Sequence, residues 1–272
     1  MSDLPGAIGA TADDVIVTSV AGGVATVTLN RPRQRNPLDW RTVRRLGEAV
    51  GDFERDPRID VVVVRGAGGN FSAGGDLKGY VDLYRDPPGF RQFLVDFHAM
   101  LDAIEASSKV YVAVVDGYCV AGGLELLLAC DIVLAAESAR IGDAHVAFGQ
   151  LPGAGGSQRL PRAVGPLRAR YLMLTGDIVD AAEAERIGLA SKVATTTALA
   201  GVLDDVVGRV SRASPLGRKG MKHLLRVASR SALDDGLRTE LDYVWRYATT
   251  SHDATEGLAA FGEKRPPRFT GE

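Results

Sequence analysis

Runs of apolar residues typical of β-strands recur through the first two thirds of the chain. One of them, Val61-Val62-Val63-Val64, is a continuous apolar run that indicates a strand covered on both faces. The first two runs are separated only by the turn sequence Ala21-Gly22-Gly23, which favours a hairpin. The five predicted strands cover residues 14–20, 24–30, 60–65, 110–115 and 132–136.

Apolar residues spaced three or four apart predict amphipathic helices after Pro37 and over residues 88–105, and the apolar segment 122–130 predicts a short buried helix. From about Thr197 onward every segment has helical spacing and none has the pattern of a strand. The arrangement favours an α/β core followed by a helical end. We therefore predict a flexible N-terminus at 1–13, a core at 14–196 and a helical region at 197–272.

Composition and charge favour a cytoplasmic globular protein. The formal net charge of −2 gives no electrostatic reason to expect nucleic acid or an anionic membrane as a partner. Cys119 and Cys130 both lie in apolar runs, which is typical of buried free thiols in a reducing compartment. The chain has no zinc-type cysteine spacing, no signal-peptide start and no apolar run long enough to span a membrane.

Three glycine-rich segments carry the candidate chemistry, at residues 71–77, 116–125 and 151–160. Glycine permits close backbone approach, so such loops can direct N–H groups at a ligand oxygen. Gly122 would begin the predicted helix, where N–H groups are unpaired and the helix dipole is positive. A second N–H group from Gly75 would complete a two-donor oxyanion hole; the alternative is that both glycines only form turns. The run 152–156 is not a phosphate loop, because no Gly-Lys-Ser/Thr follows it.

Glu125 is the second candidate, because it interrupts an otherwise apolar helix. A carboxylate in such a place is costly unless it is paired or functional. Burial would raise its pKa toward the range that is useful for proton transfer. The alternative is a structural carboxylate that is stabilised by the N-terminal end of the helix dipole.

The order and spacing of these segments closely resemble the enoyl-CoA hydratase/isomerase family, also called the crotonase superfamily. The resemblance runs from about Ile16 to Phe269. It implies an α/β fold made of a spiral of repeated β-β-α turns, with a C-terminal helical region that forms trimers, commonly doubled to hexamers. It also implies a coenzyme A thioester as substrate, with no metal and no separate cofactor. Supporting segments lie at 29–32, 36–38, 129–132 and 256–261.

The resemblance assigns roles to individual positions. Gly75 and Gly122 match the two oxyanion donors, and Glu125 matches one of the two glutamates that hydratases use to hold a water molecule. The second glutamate falls on His145, which is a departure from the family pattern. Histidine titrates near neutrality and could do similar work. If residues 141–146 are extended, Asp143 shares a face with His145 and could orient its ring.

Several reactions stay open at this point. We expect hydration of a 2-enoyl-CoA, whereas double-bond isomerisation, hydrolysis, decarboxylation or non-catalytic acyl-CoA binding are the alternatives. His145 is a bystander if only one acid–base group is needed. Lys264, Arg265 and Arg268 could contact coenzyme A phosphates from a neighbouring subunit. Further candidates for contacts to substrate or coenzyme A are Arg33, Arg35, Ala73, Asp76, Leu77 and Lys78.

Overall fold

A computed structural model describes residues 14–272, so the prediction for residues 1–13 lies outside the described part of the chain. Within these residues the nine strands are β1 Ile16–Ala21, β2 Val24–Leu29, β3 Val61–Gly66, β4 Val110–Val115, β5 Tyr118–Val120, β6 Ile132–Ala136, β7 Arg140–Gly142, β8 Ile178–Asp180 and β9 Lys192–Ala194. The helices are α1 Trp40–Arg55, α2 Leu77–Leu83, α3 Pro87–Ala106, α4 Gly122–Ala129, α5 Gly156–Val164, α6 Pro166–Thr175, α7 Ala181–Arg186, α8 Leu199–Arg212, α9 Pro215–Arg230, α10 Leu233–Thr250 and α11 His252–Gly262. Two 3₁₀ turns cover Pro32–Gln34 and His145–Phe148.

The strands form two sheets. The larger has the order β1-β2-β3-β4-β6-β9, and the smaller has the order β5-β7-β8. Only the first pair of the larger sheet is antiparallel; the remaining strands run parallel. All four valines of the run Val61–Val64 are buried, which confirms the prediction of a strand covered on both faces.

The chain winds through the two sheets in successive turns. From β4 it passes to β5 and then to α4; from β6 it passes to β7 and then, through a 3₁₀ turn, to α5. An isolated parallel bridge between Ser72 and Cys119 adds the segment after β3 to the edge of the smaller sheet. The spiral of strand–strand–helix turns expected from the resemblance is therefore present.

The helical end begins after β9, and no strand follows Ala194 in the described residues. Helix α8 packs on one face of the larger sheet, where Leu199 and Val206 join a second apolar cluster with Val61, Val112 and Leu134. Helix α10 has no buried residue. None of the helices in residues 14–272 has the length and apolar character required to cross a membrane.

The extended conformation considered for residues 141–146 is not what the structure shows. Strand β7 ends at Gly142, and Ala144 has φ 56°, which turns the backbone into the left-handed region. His145 then begins a 3₁₀ turn. The side chains of Asp143 and His145 nevertheless meet, because the turn folds them together; they do not share the face of a strand.

Candidate active site

Loops that follow the central strands converge beside the N-terminal end of α4. The segment after β3 runs along β5, since Ser72 N–H donates to the Tyr118 carbonyl at 2.9 Å and Val120 N–H donates to the Ser72 carbonyl at 3.0 Å. The Ser72 hydroxyl, which is fully buried, accepts from Gly74 N–H at 3.1 Å. These bonds hold the glycine-rich loop against β5, the strand that directly precedes α4.

The two predicted oxyanion donors are brought together. A Cβ atom placed on Gly122 would lie 3.6 Å from Gly75 N. Gly74 has φ 90°, and a Cβ atom there would come within 2.7 Å of Ala121 Cβ. A side chain at Gly74 is therefore excluded both by backbone conformation and by contact. Gly122 is the first residue of α4, so its N–H group has no partner within the helix.

Tyr80 closes one side of this hole. A Cβ atom on Gly75 would lie 2.2 Å from the Tyr80 hydroxyl oxygen, so the phenol packs directly on the glycine. Burial raises the pKa of Tyr80, with smaller contributions from Tyr84 and Glu125. The hydroxyl therefore stays protonated and neutral at physiological pH. Tyr80 lines the same cleft as Gly75 and His145.

The Glu125 carboxylate is buried and held in a fixed orientation. Its side chain is 2% exposed, and Oε1 accepts from Ala154 N–H at 2.7 Å and from Gly156 N–H at 2.8 Å. Both donors belong to the loop that leads into α5. One oxygen is thus saturated by the backbone, whereas Oε2 faces His145.

Burial raises the pKa of the Glu125 carboxyl above its ordinary value. The N–H groups of Gly156 and Ala154 and the His145 ring oppose this effect, and the Asp143 carboxylate adds to it. The shift is in the direction that makes a carboxylate a better proton acceptor near neutral pH.

His145 and Asp143 form a hydrogen-bonded pair beside Glu125. His145 Nδ1 lies 3.1 Å from Asp143 Oδ2, and Asp143 is 1% exposed. An Nδ1–H donor to this carboxylate fixes the ring orientation and leaves Nε2 facing Glu125. His145 Nε2 lies 3.9 Å from Glu125 Oε2.

That separation is too long for a direct hydrogen bond. It suits a shared water molecule, because a water about 2.8 Å from both atoms would form an angle of roughly 90° between them. The arrangement can therefore present two acid–base groups to one small reactant next to the paired N–H donors.

The cleft has a volume of about 540 Å³, and most of the predicted substrate contacts line it. Asp76 also caps α2 by accepting from Lys78 N–H and Gly79 N–H, both at 3.2 Å. Arg35 is not among the lining residues; its guanidinium stacks on the Tyr118 ring at 5.2 Å. The predicted contacts found in the lining are Arg33, Ala73, Asp76, Leu77 and Lys78.

Within one chain, the basic residues of the C-terminal tail are not among the residues that line the cleft. Arg265 is paired with Glu256 and Glu263, and Arg268 N–H donates to Glu256. Lys264 and these two arginines stay a prediction for a contact between subunits. No cluster of three or more potential metal ligands occurs within residues 14–272.

Two parts of the site were not predicted from the sequence. Tyr80 lies outside every predicted strand and helix, and no motif marks it in the sequence. The run 152–156 was interpreted only as something other than a phosphate loop, whereas the N–H groups of Ala154 and Gly156 bind the carboxylate of Glu125. The available signal was the position of the run directly before α5, because the N-terminal end of a helix favours anions.

Comparisons with known proteins agree with this geometry. The family model described as enoyl-CoA hydratase/isomerase matches residues 19–272. A probable enoyl-CoA hydratase of Mycobacterium bovis is 37% identical, over 91% of this chain and 94% of its own. A crotonyl-CoA hydratase of Syntrophomonas wolfei is 32% identical, over 90% and 94% of the two chains.

A solved structure shows the same fold. The enoyl-CoA hydratase from Bacillus anthracis superposes with a TM-score of 0.89 at 31% identity, covering 95% of this chain and all of that one. The match over nearly the whole length, together with the paired glycine N–H groups and the buried glutamate, leads to one conclusion. The chain belongs to the enoyl-CoA hydratase/isomerase family.

Proposed function

We propose that this enzyme adds water across the double bond of a 2-enoyl-CoA thioester. The observation that carries the proposal is the 3.9 Å approach of His145 Nε2 to Glu125 Oε2 beside the N–H groups of Gly75 and Gly122. The similarity to a crotonyl-CoA hydratase supports the same reaction class.

The thioester carbonyl oxygen would accept hydrogen bonds from Gly75 N–H and Gly122 N–H. When water attacks C3, electrons move to this oxygen and an enolate forms. Both N–H groups are fixed before the reaction, so the enzyme stabilises the developing charge without reorganisation. Removing one such donor typically lowers the rate by about 10²–10³.

Glu125 would accept a proton from the attacking water through Oε2, because Oε1 is already occupied by two backbone donors. His145, in its protonated form, would donate the Nε2 proton to C2 as the enolate collapses. Asp143 stabilises that imidazolium from Nδ1. The water supplies a hydroxyl to C3, C2 gains a proton, and transfer of a proton from Glu125 to His145 restores the starting state.

Coenzyme A is part of the substrate in this proposal, and no other cofactor is needed. Arg33 and Lys78 stand at the cleft and offer positive charge to its phosphates. We place the enzyme in the cytoplasm, in keeping with the composition of the chain.

We propose a homotrimer or a dimer of trimers as the assembly. Helix α10 carries apolar residues at every fourth position, which form a stripe along one side of the helix. This stripe is solvent-exposed in the single chain and would be covered by a neighbouring subunit. The stripe consists of Leu233, Leu237, Leu241 and Trp245.

Incubation with a panel of enoyl- and acyl-CoA thioesters, followed by mass spectrometry, tests the reaction. We expect crotonyl-CoA to gain the mass of one water. A moved double bond without mass change would indicate isomerisation instead, and release of carbon dioxide or of free coenzyme A would indicate decarboxylation or hydrolysis. Binding to several thioesters with no product from any of them would indicate a non-catalytic protein.

A further inference from the structure

A larger cleft, of about 710 Å³, lies on the other side of the loop that holds Glu125. It contains neither oxyanion glycine nor His145, so its greater volume does not make it the active site. Its wall contains Arg159 of α5, whose side chain is only 14% exposed. The reaction proposed above leaves this largely covered cation without a role.

Arg159 contacts the loop directly. Its Nη1 donates to the Ala154 carbonyl at 2.7 Å, its Nη2 donates to Asp102 at 3.1 Å and its Nε donates to Glu105. The last two contacts anchor the guanidinium to α3. The first contact holds one peptide group of the loop that binds Glu125.

The peptide that Arg159 holds lies between the two that bind Glu125. Ala154 N–H and Gly156 N–H point to Glu125 Oε1, whereas the Ala154 carbonyl points away to the guanidinium. Gly155 permits this alternation with φ 98°, and a Cβ atom on it would lie 2.3 Å from Arg159 Nη1. The middle peptide shares the Cα atoms of Ala154 and Gly155 with the two donor peptides, so a hydrogen bond that holds its carbonyl restrains the segment that carries both donors.

We propose that Arg159 is a positioning residue for Glu125, acting through the Ala154–Gly155 peptide. This inference rests on the proposed function for the role of Glu125. Arg230 of α9 extends the arrangement, because it donates to Asp102 at 2.8 Å and also to Glu105. The helical end of the chain is thereby connected to the orientation of the active-site carboxylate.

The pH dependence of activity distinguishes this role from simple stabilisation of the fold. Loss of the two N–H bonds would raise the pKa of Glu125 further, because both bonds lower it. The limb at which activity rises with pH would then move to higher pH. The other groups that act on Glu125 are His145, Asp143 and Tyr80, and none of them contacts Arg159.

The test compares Arg159→Met with Arg162→Met, a matched control on the same helix. Arg162 donates to the carbonyls of Gln158 and Ser229 and does not touch the loop. For Arg159→Met we expect kcat to fall by about 10²-fold with little change in KM, since small misplacement of a reacting group costs about this much. The rising pH limb should move upward in this variant only.

Hydrogen exchange read by mass spectrometry supplies a readout that does not depend on activity. The amides of residues 154–156 should exchange faster in Arg159→Met than in the parent or in Arg162→Met. If Arg159→Met does not fold, Arg159→Lys replaces it, because one ammonium cannot satisfy the Ala154 carbonyl and both α3 carboxylates as the guanidinium does. Arg159→Lys should change the pH limb and the exchange in the same direction.

Unchanged exchange at 154–156 together with an unmoved pH limb in a folded variant would overturn the inference. A parent that converts no thioester would instead refute the proposed function. In that case the exchange measurement alone decides whether Arg159 orders the loop, so the two failures are distinguishable.

Discussion

Replacing Glu125 by glutamine changes one oxygen of the carboxylate and leaves the shape of the side chain almost the same. The Oε1 atom can still accept from Ala154 N–H and Gly156 N–H. Only the atom that faces His145 becomes an NH₂ group, and an amide cannot accept the proton of the attacking water. We expect kcat to fall by about 10²–10⁴, the usual contribution of a positioned acid–base group, with little change in thioester affinity.

The same substitution should stabilise the folded chain at neutral pH. Burial raises the pKa of Glu125 in the fold above its ordinary value of 4.5. As the pH rises past that value, the unfolded chain ionises first, so the unfolding free energy falls until the folded-state pKa is passed. Each tenfold change in the acid dissociation constant corresponds to about 1.4 kcal/mol. Glutamine removes this loss.

The assay combines steady-state hydration of crotonyl-CoA with thermal unfolding at about pH 5 and about pH 8. The gain in melting temperature of Glu125→Gln over the parent should be larger at the higher pH. Glu137→Gln, which changes an exposed carboxylate at the end of β6, is the control and should change neither quantity. Retention of most of the parent's kcat, or a melting temperature below the parent's at both pH values, would refute the reasoning.

Three further predictions follow from the site and the assembly. His145→Ala should lower the rate by about 10²–10⁴, whereas His145→Glu should hydrate crotonyl-CoA faster than His145→Ala. An unaltered rate in His145→Ala would make His145 a bystander. Crotonyl-CoA at a hundred times its Kd should stabilise the fold by about 2.7 kcal/mol and raise the melting temperature, whereas free crotonate should do neither. Equal rises in melting temperature with the two ligands would contradict a coenzyme A site. Light scattering should give a multiple of three times the chain mass of 28.8 kDa, and a monomer mass would contradict this.

Much of the site could be predicted from the sequence because its chemistry depends on local requirements. The resemblance to the hydratase/isomerase family singled out Gly75 and Gly122, and glycine is the residue type that allows a backbone N–H group to approach a ligand closely. Glu125 was identified because a carboxylate in an apolar helix needs a reason to be there. The proton-transfer roles of Glu125 and His145 stay predictions, although the structure brings the two side chains together.

What could not be predicted depends on contacts between segments distant in sequence. Strands β5, β7, β8 and β9 have only three residues each, too few for an apolar period to be recognised. The left-handed backbone at Ala144 is unusual for a residue with a side chain, so the sequence around Asp143 suggested an extended segment. Tyr80 acquires its place only when α2 packs its ring on Gly75.

The most direct test of the central claim is hydration of crotonyl-CoA in water labelled with oxygen-18, followed by mass spectrometry of the product. The account predicts a 3-hydroxyacyl-CoA that carries the label at its new hydroxyl group, formed rapidly by the parent and slowly by Glu125→Gln. Unchanged crotonyl-CoA, or label found only in a free acid released from coenzyme A, would contradict it.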